Sequence, residues 1–221
     1  MQAPDTPLSI PADPYVHLRS PGRDPARMLE EVRQQWRERG AGEDLWVFGY
    51  ASLIWRPDFD HAERHFTRVH GWHRALAMWS RVNRGTPEIP GLVFALLPGG
   101  SCHGVVYRVP HRHANEILDT LWAREMPTAV YDARWLPCST PHGTVPGLAF
   151  TLSRRSPSFA GELPADEYRR IFSVAKGRYG TTLDYARQTQ QSLRTHGISD
   201  RSLNRLLAYA EDCRSVPILI E

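Results

Sequence analysis

Lysine is almost missing from this chain of 221 residues, in which Lys176 is the only one among 27 basic side chains. A P-loop needs a glycine-rich run that ends in Lys-Ser or Lys-Thr, so this scarcity excludes a P-loop nucleotide site. It also leaves almost no candidate for Schiff-base chemistry. The net charge is only +3 and the arginines are scattered without a run of five like charges, so no nucleic-acid surface is indicated.

Cysteines are also few, and Cys102, Cys138 and Cys213 are odd in number and far apart. This argues against a disulfide framework and against a structural zinc site, and a reducing cytosol is the simplest setting. No basic and apolar leader marks a signal peptide, and no run of about 18 apolar residues marks a membrane span. We therefore expect a cytoplasmic protein without a membrane partner.

The order of hydrophobic patterns predicts an α+β fold. Residues 1–40 are expected to form a Pro-rich leader and a helix that starts at Asp24-Pro25, and residues 41–221 to form one domain. Strand-like runs occupy 45–153, interrupted by one helix from Ala114 to about Arg124, and helices follow after about residue 162. Pro98-Gly99-Gly100 is typical of a hairpin turn. The short strands predict a small mixed or antiparallel β-barrel with flanking helices.

The first strand ends in small residues, Gly49, Ala51 and Ser52, around Tyr50. Small side chains let a ligand approach the backbone N–H groups closely, so the turn could hold a carboxylate or a developing oxyanion. A tight turn with Tyr50 in the core is the structural alternative. Ser52 is not a predicted nucleophile, because its surroundings do not match G-x-S-x-G.

Glu125 lies where the helix ends against Pro127, and the helix dipole disfavours a carboxylate there. Partial burial beside Trp122 and Met126 would raise its pKa toward the range of a general base. An exposed glutamate without a role is the alternative.

Arg84 opens a rigid Pro- and Gly-rich loop, Arg84–Gly91, that can present its guanidinium to a carboxylate with little freedom. Plain turn chemistry would also explain this loop. The ten histidines have no convincing ligand spacing: His61 and His65 do not form H-E-x-x-H, and His70 and His73 lie on opposite strand faces. We therefore predict no metal site.

Four segments, in order, resemble the ChaC family of glutathione-specific gamma-glutamylcyclotransferases. They are VFGYASLIW from Val47, RGTPEIPG from Arg84, GGSCHGVVYR from Gly99, and WAREM from Trp122 with Tyr131 downstream. The resemblance covers about residues 45–190. Ala51 stands where the family has Gly, which would cost about 1 kcal/mol if the position required a positive φ. The segment around Thr182 also keeps the family pattern only loosely.

The resemblance implies a gamma-glutamylcyclotransferase-like fold and cleavage of glutathione to 5-oxoproline and cysteinylglycine without a cofactor. Glu125 would be the general base and acid, and substrate would be bound by Tyr50, Ala51, Ser52, Leu53, Arg84 and Tyr131. A cyclotransferase for other γ-glutamyl amines, a non-catalytic regulatory or partner-binding relative and a metallohydrolase are the competing hypotheses.

Overall fold

The computed structural model describes residues 20–212. Most of the predicted leader and Cys213 therefore lie outside the described residues. Helix α1 spans Pro25–Arg37 and begins as predicted, with Asp24 accepting a hydrogen bond from the Ala26 amide at 2.9 Å. Its buried residues Val32 and Trp36 belong to the same core cluster as the helix that ends at Glu125. The division of the chain at residue 40 stays a prediction.

Five strands form one curled sheet. Their bounds are Leu45–Gly49 for β1, Glu63–Ser80 for β2, Gly91–Val109 for β3, Asp132–Thr140 for β4 and Gly143–Thr151 for β5. Their order in the sheet is β2-β3-β1-β5-β4. Strands β1 and β5 pair in parallel and the other neighbours are antiparallel. The edge strands β2 and β4 approach each other closely enough for the Ser139 amide on β4 to donate to Thr67 Oγ1 on β2 at 3.0 Å. This half-closed mixed barrel confirms the predicted fold class.

The predicted hairpin turn at Pro98-Gly99-Gly100 is wrong. Strand β3 runs through this segment, and it pairs with β2 on both sides of a register shift between His70 and Trp72. Gly71, Gly99 and Gly100 all have positive φ. The glycines therefore bend a long two-stranded ribbon instead of reversing the chain.

Helices cover both faces of the sheet. The bounds of the remaining helices are Ser52–Trp55 for α2, His111–Glu125 for α3, Ala165–Val174 for α4, Thr182–Arg194 for α5 and Arg201–Asp212 for α6. Two short strands, Lys176–Gly177 (β6) and Gly180–Thr181 (β7), pair with each other just before α5. Val47 belongs to the core cluster that contains α1 and α3, whereas Phe48 belongs to the cluster that contains α4, α5 and α6, as the alternation along a strand requires. Between residues 20 and 212 no helix is both long and apolar enough to span a bilayer.

Candidate active site

Glu125 is the last residue of α3, and its carboxyl group is largely enclosed, with 18% of the side chain exposed. Burial raises the pKa of this carboxyl above its ordinary value, while Arg124, whose Nε lies 3.0 Å from Glu125 Oε1, lowers it in part. Desolvation outweighs the ion pair, as the sequence predicted from Trp122 and Met126. The group can therefore accept and return a proton more readily than a solvated glutamate.

Arg124 ties the end of α3 to the segment that follows β1. Its Nη1 donates to the Arg56 carbonyl at 2.8 Å and to Asp58 Oδ2 at 3.0 Å, and its Nη2 donates to Ser52 Oγ at 3.1 Å. These bonds fix Glu125 and Ser52 relative to each other. Elements far apart in the sequence thus meet at one end of the barrel.

The chain folds back tightly after β1. A Cβ on Gly49 would lie 2.6 Å from Leu53 Cβ, so only glycine permits this return. The Tyr107 hydroxyl donates to the Leu53 carbonyl at 2.6 Å and fixes α2. The first amides of a helix have no intrahelical acceptor, and within the described residues those of Ser52 and Leu53 donate to no main-chain carbonyl. Ala51 has φ −138°, so the cost predicted for a positive φ does not arise.

Three buried tyrosines lie near enough to Glu125 for its charge to raise the pKa of each. Burial raises the pKa of the Tyr50 and Tyr131 hydroxyls well above the ordinary value, and the charge of Glu125 adds to both shifts. Burial also raises the pKa of Tyr185, whose hydroxyl accepts a hydrogen bond from the Phe94 amide at 3.3 Å. All three hydroxyls therefore stay protonated, and those of Tyr131 and Tyr185, which line the cleft, can donate to an oxyanion or a carboxylate.

Arg84 is buried, with 7% of its surface exposed. Its Nη1 donates to the Tyr179 carbonyl, and its guanidinium carbon lies 4.9 Å from the centroid of the Tyr185 ring. Since a guanidinium carries five N–H groups, others remain for an anionic ligand. The arginine is held rigidly, as the sequence predicted from its loop.

A cleft of about 450 Å³ joins these groups. The predicted residues Ser52, Arg84, Glu125 and Tyr131 line it. Arginines outnumber carboxylates in the walls of the cleft. The arginines are Arg56, Arg81, Arg84, Arg124 and Arg178, and the carboxylates are Asp58 and Glu125. The cleft therefore favours an anionic ligand.

The other predicted residues lie beneath the cleft. Tyr50 is buried and interacts with Tyr131 and Glu125. Ala51 and Leu53 are buried in the two core clusters, and of the four turn residues 50–53 Ser52 alone lines the cleft. Tyr185 and Arg56, both in the cleft wall, were not predicted as site residues. Tyr185 has the signal of a core residue, because it shares a helix face with Ala186 and Thr189.

Away from the cleft, the structure brings together a group of side chains that sequence spacing did not reveal. The ligand atoms of Glu63, His65 and His142 lie within 4.8 Å of one another. His142 lies in a turn far along the chain from Glu63 and His65, so no local spacing could reveal the group.

Comparison with known proteins identifies the family of this chain. Residues 45–212 match the family model described as ChaC-like protein. The chain belongs to the ChaC family. It is 35% identical over 164 residues to the glutathione-specific gamma-glutamylcyclotransferase of Escherichia coli K12, covering 74% of this chain and 71% of the relative. It is 30% identical over 154 residues to glutathione-specific gamma-glutamylcyclotransferase 1 of Homo sapiens, covering 67% of this chain and 69% of the relative.

A solved structure of a gamma-glutamylcyclotransferase specific to glutathione from yeast has the same fold. Its TM-score is 0.69 at 23% identity, and the match covers 76% of this chain and 96% of the yeast chain. The ChaC match begins at β1, so it contains the cleft and leaves α1 outside. The resemblance inferred from the four motifs is thereby confirmed.

Proposed function

We propose that this chain cleaves glutathione by intramolecular cyclisation, giving 5-oxoproline and cysteinylglycine. The substrate's α-amine attacks its own γ-glutamyl carbonyl carbon, a new C–N bond closes the ring, and the amide C–N bond to cysteine breaks. The names of the Escherichia coli and human relatives support this substrate. The observation that carries the role of Glu125 is its position as an enclosed carboxylate in a cationic cleft.

In this mechanism Glu125 moves two protons in turn from the attacking to the leaving nitrogen. Ionised Glu125 takes the first proton from the α-ammonium group, which frees the amine lone pair for attack, and gives it to the amide nitrogen of cysteine as the C–N bond to that nitrogen breaks. It then takes the second proton, which the ring nitrogen must lose to become the lactam N–H, and passes it to the released amine of cysteinylglycine. The raised pKa makes the protonated intermediate accessible. The carboxyl group ends each turnover ionised, so no external acid is consumed.

The turn after β1 and the surrounding tyrosines stabilise negative charge. Main-chain amides of Tyr50, Ala51, Ser52 and Leu53 are the proposed donors to the substrate's γ-glutamyl end, and the Tyr131 hydroxyl is a further donor. Arg84 is the proposed partner of a substrate carboxylate. Glutathione has two carboxylates, which fits the excess of arginine in the cleft. Holding the chain in a folded conformation contributes to the rate through proximity.

We also infer that the reaction takes place in the cytoplasm, with a small molecule as the sole substrate and neither nucleic acid nor a membrane as partner. The free, buried cysteines Cys102 and Cys138 are consistent with a reducing compartment.

The test is production of 5-oxoproline from glutathione by the wild type, Glu125→Gln and Glu116→Gln, whose changed residue is exposed on α3. Glu125→Gln keeps shape and polarity but cannot take a proton, so we expect turnover to fall on the order of 100-fold or more. Glu116→Gln should match the wild type. Release of 5-oxoproline only from other γ-glutamyl amines would favour the broader cyclotransferase. No release from any γ-glutamyl compound would favour a non-catalytic relative, and normal turnover by Glu125→Gln would refute its role.

A further inference from the structure

The group formed by Glu63, His65 and His142 lies on the seam where the half-closed barrel nearly closes. Glu63 and His65 are two residues apart on the edge strand β2, so their side chains emerge on the same face. His142 lies in the turn between β4 and β5. Strand β4 is the other edge of the sheet, and the Ser139–Thr67 hydrogen bond already joins the two edges here.

All three ligand atoms lie within 4.8 Å of one another, close to the spacing around a tetrahedral metal. Glu63 Oε2 lies 3.0 Å from His65 Nε2 and 3.8 Å from His142 Nε2. Around a zinc ion with bonds of about 2.1 Å in tetrahedral geometry, neighbouring ligand atoms are roughly 3.4 Å apart. Small side-chain rotations would therefore bring all three atoms onto one ion.

The surroundings of the group orient it for this role. Arg108 Nη2 lies 2.5 Å from Glu63 Oε1, which leaves Oε2 directed at the histidines, and Asp44 neutralises Arg108 through a contact of 2.6 Å. Thr140 braces the turn that carries His142: its hydroxyl accepts from the His142 amide at 3.2 Å and donates to the Gly143 carbonyl at 2.8 Å. Such outer contacts set the orientation of metal ligands.

We propose that Glu63, His65 and His142 form a binding site for one zinc ion, which clips the edge strand β2 to the β4–β5 turn. Two imidazoles and one carboxylate are a ligand set that zinc accepts, with a fourth position open to solvent. Binding replaces the hydrogen bond between His65 Nε2 and Glu63 Oε2 with a bond from each of these atoms to the ion. None of the three residues lines the cleft, so the ion stabilises the barrel and takes no part in catalysis.

The site can be tested by titrating tag-free, metal-free protein with Zn²⁺ by calorimetry, and with Co²⁺ by visible absorption. We expect one ion per chain, and tetrahedral d–d bands with Co²⁺. Because a ligand that binds only the folded state stabilises it, Zn²⁺ at about 100 times its Kd should raise the Tm. His142→Gln and His65→Gln should each weaken binding roughly 100-fold or more and abolish the rise in Tm.

His70→Gln is the matched control, because His70 is an exposed histidine on the same strand and lies outside the group. It should bind zinc like the wild type. The metal-free Tm of each variant reports whether the fold is intact, and His142 is 72% exposed, so its replacement should leave that Tm unchanged. Absence of stoichiometric binding, binding that survives both His65→Gln and His142→Gln, or loss of binding in His70→Gln would overturn the proposal. Glutathione turnover by the metal-free protein tests the proposed function separately.

Discussion

Glu125 sits in an environment that opposes its ionisation from two directions. Burial removes water from the carboxylate, and the C-terminal end of α3 adds the negative end of the helix dipole. Arg124 acts in the opposite sense through its contact of 3.0 Å. The balance between these effects sets the pH at which the proposed base becomes protonated.

Replacing Arg124 with Gln should move the acidic limb of the kcat/KM profile to higher pH. The proposed base acts ionised, so activity is lost as pH falls through the pKa of Glu125. Since Arg124 lowers that pKa, its removal raises it, and protonation starts at a higher pH. Arg124→Lys, which keeps the positive charge, should shift the limb less. If the acidic limb lies at the wild-type pH in both variants, Glu125 is not the group whose protonation limits activity.

Several residues of the candidate site could be predicted from local sequence and others could not. Glu125 was recognisable because it breaks the charge preference of a helix end, and Arg84 because prolines and glycines surround it. Tyr185 lies about 100 residues from Arg84 in the chain, and their contact of 4.9 Å depends on how α5 packs on the sheet. Periodicity describes one face of a helix and does not give the partner of that face.

The loop between β2 and β3 is held by close contacts between its own ends and with Gly177. A Cβ on Gly85 would lie 2.0 Å from the Gly91 amide nitrogen, so the two ends of the loop touch. The Thr86 amide donates to the Ile89 carbonyl at 3.0 Å and closes the tip. Gly177 packs against the same loop, where a Cβ would lie 2.6 Å from the Arg84 nitrogen. Arg84 is therefore held from both sides before substrate arrives.

Removing the Arg84 side chain should raise KM for glutathione more than it lowers kcat. A carboxylate remote from the reacting bond keeps its charge throughout the reaction, so its contact stabilises ground and transition states alike. A hydrogen bond to a charged group contributes about 1.5–3 kcal/mol, which corresponds to roughly 10-fold or more in KM. Steady-state kinetics of Arg84→Ala should show this, with Arg155→Ala as the exposed control outside the cleft.

Arg84→Lys separates charge from geometry, because lysine keeps the charge and loses the planar fork. It should have an intermediate KM. An unchanged KM in Arg84→Ala would remove this residue from substrate binding, provided that its Tm shows a folded protein.

The long β2–β3 ribbon marks the limit of prediction at the level of elements. Glycine next to proline is a turn signal in an isolated sequence, yet Pro98-Gly99-Gly100 lies within β3 because β2 supplies a partner on both sides. The later helices were predictable, and at α5 Thr181 Oγ1 accepts from the Asp184 amide at 3.0 Å, as a local capping rule requires. Rules that depend only on neighbouring residues predicted the helix cap correctly. The turn rule failed at residues 98–100, because pairing with a distant strand overrode it.

At the scale of the whole molecule, one ion pair connects the helical layer, the sheet and the turn beneath the cleft. Arg74 on β2, with only 3% of its side chain exposed, contacts Asp200 Oδ2 at 2.6 Å. The same guanidinium donates to the Tyr50 carbonyl at 2.6 Å. Asp200 Oδ1 accepts from the Leu203 amide at 3.0 Å and caps α6. The position of α6 is thereby coupled to the main chain that the substrate is proposed to meet.

Asp200→Asn should destabilise the protein through charge alone. Asparagine caps a helix as well as aspartate does, so the bond to Leu203 can persist while Arg74 loses its counter-charge. Breaking a buried pair by removing one partner costs about 3 kcal/mol or more in the free energy of unfolding, measured by urea denaturation. The double variant Arg74→Met/Asp200→Asn no longer buries an unpaired charge, so its loss should be smaller than the sum of the two single losses. Strictly additive losses would show that Arg74 and Asp200 stabilise the fold independently, and α6 would then not be coupled to Tyr50 through this pair.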